Sequence, residues 1–441
     1  MAYGNKPLQA TSIVSPGFFG LNTQDSGVAM DTSFATQAYN AVIDRYGRIG
    51  ARKGWTYKTT SGGTSANIEA LFEFNNGDGT YTVLSAGNNK LFTGEATLTE
   101  MPVRNSDNTG DLTYTITDNN WQIVQAEYNS GLNTSAHAYF VQAGHQTLIY
   151  HKLGSTAHAH TGAFGFQRLG DMGSLPTGYT TTTFTPNCGL AAYGRLWLAN
   201  VGNNKLTVYY SALLDASDFD GIGSGFINLE QVVPGGEEIV ALAEHNNFLV
   251  IFCKNSIVLY QNADNIDALT LADVISGVGC IARDSVQNIG TDILFLSDGG
   301  VRALSRTIQE KSAPIRDISR NIRDQLMDYV SDEDLATVRS AYFDKDAFYL
   351  LVMPSSTFSF CFDLRQFLQD GSSRATIWNN ISPRAVAVTH DNRLLLGKLN
   401  GVAEYGGYTD NSSAYIFSYF SPYVDFGSPS ITKVVKKLGI T

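Results

Sequence analysis

Val240-Ala-Leu-Ala-Glu-His-Asn-Asn-Phe-Leu-Val-Ile-Phe-Cys-Lys-Asn-Ser-Ile-Val-Leu-Tyr260 holds three short apolar runs separated by two polar breaks. The breaks, Glu244-His-Asn-Asn and Cys253-Lys-Asn-Ser, carry residues that tolerate the positive φ of a tight turn, so the runs read as strands joined by hairpins. The same grammar returns at once: Ser285-Val-Gln-Asn-Ile, the break Gly290-Thr-Asp, Ile293-Leu-Phe-Leu, the turn Ser297-Asp-Gly-Gly, then Val301-Arg-Ala-Leu. Such a meander cannot bury both faces of its own sheet, so it needs neighbours of its own kind.

Those neighbours are visible on either side. Gly87-Asn-Asn-Lys-Leu-Phe92 and Gly202-Asn-Asn-Lys-Leu-Thr-Val-Tyr209 share a run of residues, and Ala143-Gly-His-Gln-Thr-Leu-Ile-Tyr150 and Lys398-Leu-Asn-Gly-Val-Ala-Glu-Tyr405 are variants. Aligned on the second turn, the units fall at Asn89, Gln146, Asn204, Asn255, Gly300, Ser356 and Asn400. A spacing of about 44 to 58 residues is that of a four-stranded propeller blade with a variable loop. A pair of β-sandwiches is the other arrangement for so degenerate a repeat, but a ring removes the exposed sheet edges that a linear array would leave. The expected fold is all-β: a β-propeller of about seven blades with long inter-blade insertions and one short helix.

Composition agrees. The 441 residues are 43% hydrophobic and only 16% charged, with 42 glycines and 22 tyrosines, enough to bury a large β core. The first thirty residues show no basic-then-apolar leader, and no apolar run approaches the roughly 20 residues that cross a bilayer, so a soluble product without membrane insertion is expected. Cys188, Cys253, Cys280 and Cys361 show no CxxC pairing and read as buried free thiols. The net charge of −11, with no lysine or arginine run, disfavours tight binding of nucleic acid but suits a wall past which DNA must slide.

Three regions follow: an N-terminal arm and closing strand over 1–57, the propeller over 58–412, and a C-terminal strand or tail over 413–441. In the arm, residues 33–44 read as helix or strand, and Asp44-Arg-Tyr-Gly-Arg-Ile-Gly-Ala-Arg-Lys-Gly-Trp55 as a bent strand able to supply the last edge of a closed ring. Residues 93–120 and 151–187 read as loops projecting between adjacent blades. Residues 313–331 carry Ile315, Ile318, Ile322, Leu326 and Val330 at helical spacing, with Asp317 or Ser319 placed to cap. The tail either closes the ring beside the arm or docks on a partner.

Candidate chemistry is sparse. Ser297-Asp-Gly-Gly lacks the tryptophan of a sialidase box, and Gly221-Ile-Gly-Ser-Gly225 has its glycines misplaced for a nucleophile elbow. Asp215-Ala-Ser-Asp-Phe-Asp-Gly221 resembles part of a calcium loop without its distal glutamate and reads as an acidic loop with Asx-turns. His158-Ala-His160, with His151 nearby, lacks ligands to complete a tetrahedral metal set and reads as a loop, although symmetric copies in an oligomer would bring more imidazoles together. Glu237 and Glu238 stand at a strand entrance. No catalytic residue, cofactor or metal is assigned, and the chain is not expected to be an enzyme.

Tyr209-Tyr-Ser-Ala-Leu-Leu-Asp-Ala-Ser-Asp-Phe, Gly225-Phe-Ile-Asn-Leu, Gly236-Glu-Glu-Ile-Val-Ala-Leu, Leu249-Val-Ile-Phe and Ser256-Ile-Val-Leu-Tyr resemble the tail nozzle proteins of short-tailed phages. That family is also called packaged-DNA stabilisation or tail tubular protein B-like. Gly277-Val-Gly-Cys-Ile-Ala-Arg-Asp-Ser-Val-Gln-Asn-Ile-Gly, Phe295-Leu-Ser-Asp-Gly-Gly-Val-Arg-Ala-Leu and Asn40-Ala-Val-Ile-Asp-Arg-Tyr-Gly-Arg-Ile-Gly-Ala-Arg-Lys-Gly are similar to further parts of it. The likeness covers about half the chain and excludes the two long loops and the tail. It implies a virion structural protein, made in the host bacterial cytoplasm and placed in the virion tail. There it forms a ring, usually a homohexamer, below the tail adaptor, extending the DNA channel and retaining packaged DNA until ejection. Its implied partners are its own copies, the adaptor, tail fibre or spike proteins, and translocating double-stranded DNA. The likeness assigns no channel or gate residues; residues 93–120 and 151–187, as loops projecting between blades, are the expectation for the constriction. The alternatives are a receptor- or glycan-binding propeller of the tail, and a host scaffold propeller, which lacks support because the usual Trp-Asp dipeptides are missing.

Overall fold

Each of the seven second turns expected from the repeat lies between two antiparallel strands. The computed structural model describes residues 18–44, 46–104, 120–129, 134–150, 166–310 and 317–423. Asn88-Asn89 and Asn246-Asn247 both have positive φ at two successive positions, the geometry that matches the twist of a hairpin and that asparagine adopts at least cost among residues bearing a Cβ. The first blade runs Ile68–Asn75, Tyr81–Gly87, Lys90–Thr93, Thr99–Met101 from inside outward; the second is Trp121–Asn129, Thr134–Gln142, Leu148–Tyr150, Phe166–Arg168. Blades three and four start at Cys188–Ala192 and Ile239–His245 and are also four-stranded meanders. The protein is a seven-bladed β-propeller, the innermost strand of each blade lying against the next and that of the seventh, Ala385–Val388, against that of the first.

The core follows from strand periodicity. Successive side chains point to opposite faces, so a middle strand feeds two interfaces at once. In Phe248–Cys253, Leu249, Ile251 and Cys253 join the cluster shared with blade three, while Val250 and Phe252 join the one shared with blade five. This is why the middle strands read as unbroken apolar runs rather than alternating ones. Seven such clusters occur among the described residues, one per junction between neighbouring blades. All four cysteines are free and buried within these layers.

Two blades depart from the plain meander. Among the described residues the fifth has three strands, Gln287–Asn288, Ile293–Ser297 and Gly300–Ala303; after them a short helix, Leu304–Glu310, packs on the last two with Leu304 fully buried. The sixth is enlarged. Outside its four strands, Arg339–Phe343 to Arg374–Asn379, lies Gln37–Tyr39 from the arm, running parallel, and then Ser418–Phe420 from the tail. The seventh blade takes its outer strand, Trp55–Tyr57, from the arm, so chain ends and ring closure are coupled as the bent strand at Trp55 suggested.

Of the two forms open to residues 33–44, the strand is found, as Phe34–Ala35, Gln37–Tyr39 and Ala41–Ile43, which their β-branched residues favour. Several expectations need correction. The helix expected over 313–331 is Arg323–Ser331 preceded by a 3-10 turn at Arg320–Ile322; residues 313–316 lie outside the described residues. Neither expected cap acts as one. Ser319 Oγ instead accepts from Val301 N at 2.9 Å, and the buried Asp317 pairs with Arg323. The long loops are also shorter than they read. Residues 93–120 contain the fourth strand of blade one, Thr99–Met101, and 151–187 contain the fourth strand of blade two, Phe166–Arg168. Tyr179 and Phe184 do not project but pack in the core between blades two and three. Residues 105–119 and 151–165, with His151, His158 and His160, lie outside the described residues, as does 424–441 of the tail.

Candidate assembly face and axial cavity

Arg52 ties the arm, blade six and the tail together. It has no exposed surface, and all five of its N–H groups are used. Nε donates to Asn40 Oδ1 at 2.8 Å; Nη1 donates to Lys53 O and Asp410 Oδ1, both at 2.8 Å; Nη2 donates to Asn379 O at 2.9 Å and Asp410 Oδ2 at 2.7 Å. The Tyr415 ring lies 4.1 Å from the guanidinium carbon, and its hydroxyl donates to Arg52 O. Asn40, in turn, donates through Nδ2 to Asn379 Oδ1 and to Ile416 O. A bidentate arginine–carboxylate pair with every donor satisfied is the arrangement in which a buried charge is tolerated. It sets the path of the tail segment that follows.

That segment presents an apolar face. Ile416 is 79% exposed and Tyr423 84%, and Phe417 and Phe420 lie between them, also exposed. Strand Ser418–Phe420 pairs with Gln37–Tyr39 on one side only, so among the described residues its other edge offers unpaired backbone groups. Tyr423 N donates to Gly27 O, beside the exposed Val28. An apolar stripe along an unpaired strand is the feature that single-chain proteins ordinarily cover or interrupt with charge.

The inner strands enclose an axial cavity of about 500 Å³. Its polar end is built where these strands begin. Arg283, at the entrance to blade five, donates through Nη1 to Asn120 O at 3.1 Å and Asn187 O at 2.9 Å, reaching the entrances of blades two and three. Its Nε and Nη2 hold Asp284 at 2.9 and 2.7 Å, and Arg339 of blade six approaches the same carboxylate at 3.1 Å. Ser340 Oγ donates to Asp284 O at 2.6 Å. Burial pushes the Arg339 guanidinium below the ordinary arginine range, with Asp284 pulling the other way. Along the walls stand Ala70, Phe72, Ile123, Leu242, Ala341 and Val386.

No protein-family model and no curated protein matches the sequence. Among solved structures, the chain is similar to the extracellular domain of a hybrid two-component system from B. thetaiotaomicron (TM-score 0.42, 11% identity), covering 77% of this chain and 40% of that one. It is also similar to the WD40 β-propeller domain of Doa1 (TM-score 0.39, 10% identity, 80% and 96% covered) and to streptogramin B lyase (TM-score 0.39, 11% identity, 77% and 93% covered). The chain thus spans well under half of the first of these, and these are likenesses of fold.

The residues singled out in the sequence have structural partners. Asp215 Oδ1 accepts from Ser217 N and Oγ, and Asp218 Oδ1 from Asp220 N, Gly221 N and Ser174 Oγ, so this acidic loop is a pair of Asx-turns. Burial opposes the charge of Asp218, but these bonds outweigh it and hold the carboxyl below its usual range. Glu237 accepts from Ser256 Oγ and Asn255 N, while Glu238 pairs with Lys254 and Lys205; both fasten turns. Ser297 Oγ accepts from Arg302 Nε and donates to Gly300 O within its turn. Sequence reading missed two groupings. One is the Arg283–Asp284–Arg339 network. The other is Glu73, His390 and Asp391, whose ligand atoms lie within 4.8 Å of one another. Glu73 Oε2 already accepts from His390 N at 2.6 Å, and Asp391 from Thr389 Oγ1 and Arg393 Nε. Blades far apart in sequence make both, and no local spacing announces either.

Proposed function

We propose that this propeller is a structural subunit of a short phage tail, a nozzle protein that packs into a ring, extends the DNA channel below the adaptor and retains packaged DNA until ejection. The observation that supports it is the enlarged sixth blade, which among the described residues ends in an unpaired strand edge flanked by Ile416, Phe417, Phe420 and Tyr423. A rigid propeller with such an edge is suited to lateral packing, and a permanent ring contact buries on the order of 2,000 Å² or more. The axis of the propeller itself is not a DNA path. A cavity of 500 Å³ is that of a sphere about 10 Å across, less than the ~12 Å width of the duplex major groove alone. DNA would run between subunits, past a surface whose net charge of −11 repels phosphate and lets the polymer slide.

Antibody-gold labelling of intact virions from the source culture tests the reading. Label confined to the tip of a short tail at one vertex supports it. Absence from the particle, or label spread along fibres, refutes it and favours a receptor- or glycan-binding propeller.

A further inference from the structure

We propose that the open edge of strand Ser418–Phe420 receives residues 431–438 of a second copy of this chain as an added strand. The inference rests on the reading of this edge as a contact between subunits, and goes further by naming the segment that covers it. Among the described residues the edge is open, and its backbone is turned to pair. Phe420 O is taken by Thr36 N at 2.9 Å, so the carbonyl of Tyr419 before it faces the other way, to the open side. An extended segment laid along such an edge gains main-chain hydrogen bonds, while the exposed Val28, Ile416, Phe420 and Tyr423 give its apolar side chains a surface to cover.

The chain supplies the occupant. Past Tyr423, Ile431-Thr-Lys-Val-Val-Lys-Lys-Leu438 is rich in β-branched residues and bounded by Pro429 and Gly439, the composition of a strand. Its charge fits the face. Lys433, Lys436 and Lys437 against Asp425 give residues 424–441 a net charge of +2, which leaves −13 for the rest of the chain. The stretches that build the face, 18–43 and 411–423, contain no lysine or arginine, and Asp25 and Asp31 are exposed on the loop that carries Val28. The exit route decides which copy is served. Tyr423 N is bonded to Gly27 O, and Gly27 lies beside Thr36, next to the strand Gln37–Tyr39 that pairs with Ser418–Phe420. The chain therefore leaves on the paired side of the strand, away from its open edge. Residues 424–430 span at most about 25 Å when extended, a reach that suits an adjacent copy. Tail and edge are different surfaces, so the contact is heterologous and builds a ring when its rotation closes.

Cysteine trapping on the full-length chain tests this, since all four native thiols are buried. Ser421→Cys places a thiol at the exposed end of the edge strand, and Val435→Cys places one on the tail. The two variants are mixed at the highest soluble concentration, treated with a short bismaleimide and resolved on a denaturing gel. The mixed pair is expected to yield two-chain product at least about tenfold above a control pair with Glu230→Cys, exposed on blade three, in place of Ser421→Cys. Lys433→Glu, Lys436→Glu and Lys437→Glu, added together to the tail variant, are expected to cut that yield by about tenfold or more. Linkage within one chain in the Ser421→Cys, Val435→Cys double variant at all dilutions, a yield equal to the control, or no trapping overturns the proposal. Virion labelling and trapping fail separately. Trapping without tail label leaves a propeller that self-assembles elsewhere, and tail label without trapping leaves the subunit reading with a different contact.

Discussion

Replacing Arg52 with alanine should unfasten the arm and the tail together. The substitution leaves Asp410, 8% exposed, without its bidentate partner, and also removes donors from Asn40 Oδ1 and Asn379 O. Breaking a buried pair from one side costs roughly 3–5 kcal/mol, because the remaining charge stays out of water. With an unfolding entropy of about 2.1 cal/mol/K per residue, the whole chain carries ~0.9 kcal/mol/K, so the midpoint should fall by about 3–5 °C if the ring unfolds cooperatively. Differential scanning calorimetry of Arg52→Ala, Asp410→Ala and the double variant gives the test. The double variant should lose less than the sum of the single losses, with a coupling on the order of 2 kcal/mol. Limited proteolysis should show earlier cleavage at Lys53 and Lys58, next to the closing strand Trp55–Tyr57. A midpoint loss under 1 °C for Arg52→Ala, or strictly additive variants, would show that the seam is held by the β pairing and not by this pair.

Three further outcomes are expected. Ile416→Asp with Phe420→Asp should leave the midpoint within about 1 °C, since both side chains are exposed, yet abolish any self-assembly seen by sedimentation; assembly that survives would place the interface elsewhere. Tyr349→Phe removes a buried hydroxyl that donates to Ser285 O at 2.7 Å and should cost about 1–2 kcal/mol in denaturant unfolding; a change below 0.5 would mean the carbonyl finds another donor. Burial pushes the Lys398 ammonium, which lies 4.7 Å from the Trp55 ring centre, down to about 8, with Asp410 opposing. Between pH 8 and 10 the native fold therefore binds fewer protons at Lys398 than the unfolded chain, and stability from this group rises with pH. The wild type should gain on Lys398→Met by on the order of 2 kcal/mol across that window, with no gain below pH 8, as read from denaturation midpoints against pH.

The turns were legible because their chemistry is local. Asn89, Asn204, Asn255 and Asn400 mark second turns through backbone conformations and polar breaks that a few residues specify, and the apolar runs between them encode strands buried on both faces. From these alone the seven-bladed ring and its closure near Trp55 followed. The same local logic misread residues 93–120 and 151–187, since short outer strands such as Thr99–Met101 and Phe166–Arg168 gain their identity from the neighbour they pair with, not from their own sequence. It also misread Ser319, whose hydroxyl is used by a strand 18 residues away rather than by the helix it precedes. The seam at Arg52, separated from Asp410 by 358 residues, and the network of Arg283, Asp284 and Arg339 at the axis exist only once the ring is closed. Buried charge is satisfied by whatever the fold brings within about 3 Å, and a closed ring brings together residues that no spacing along the chain relates.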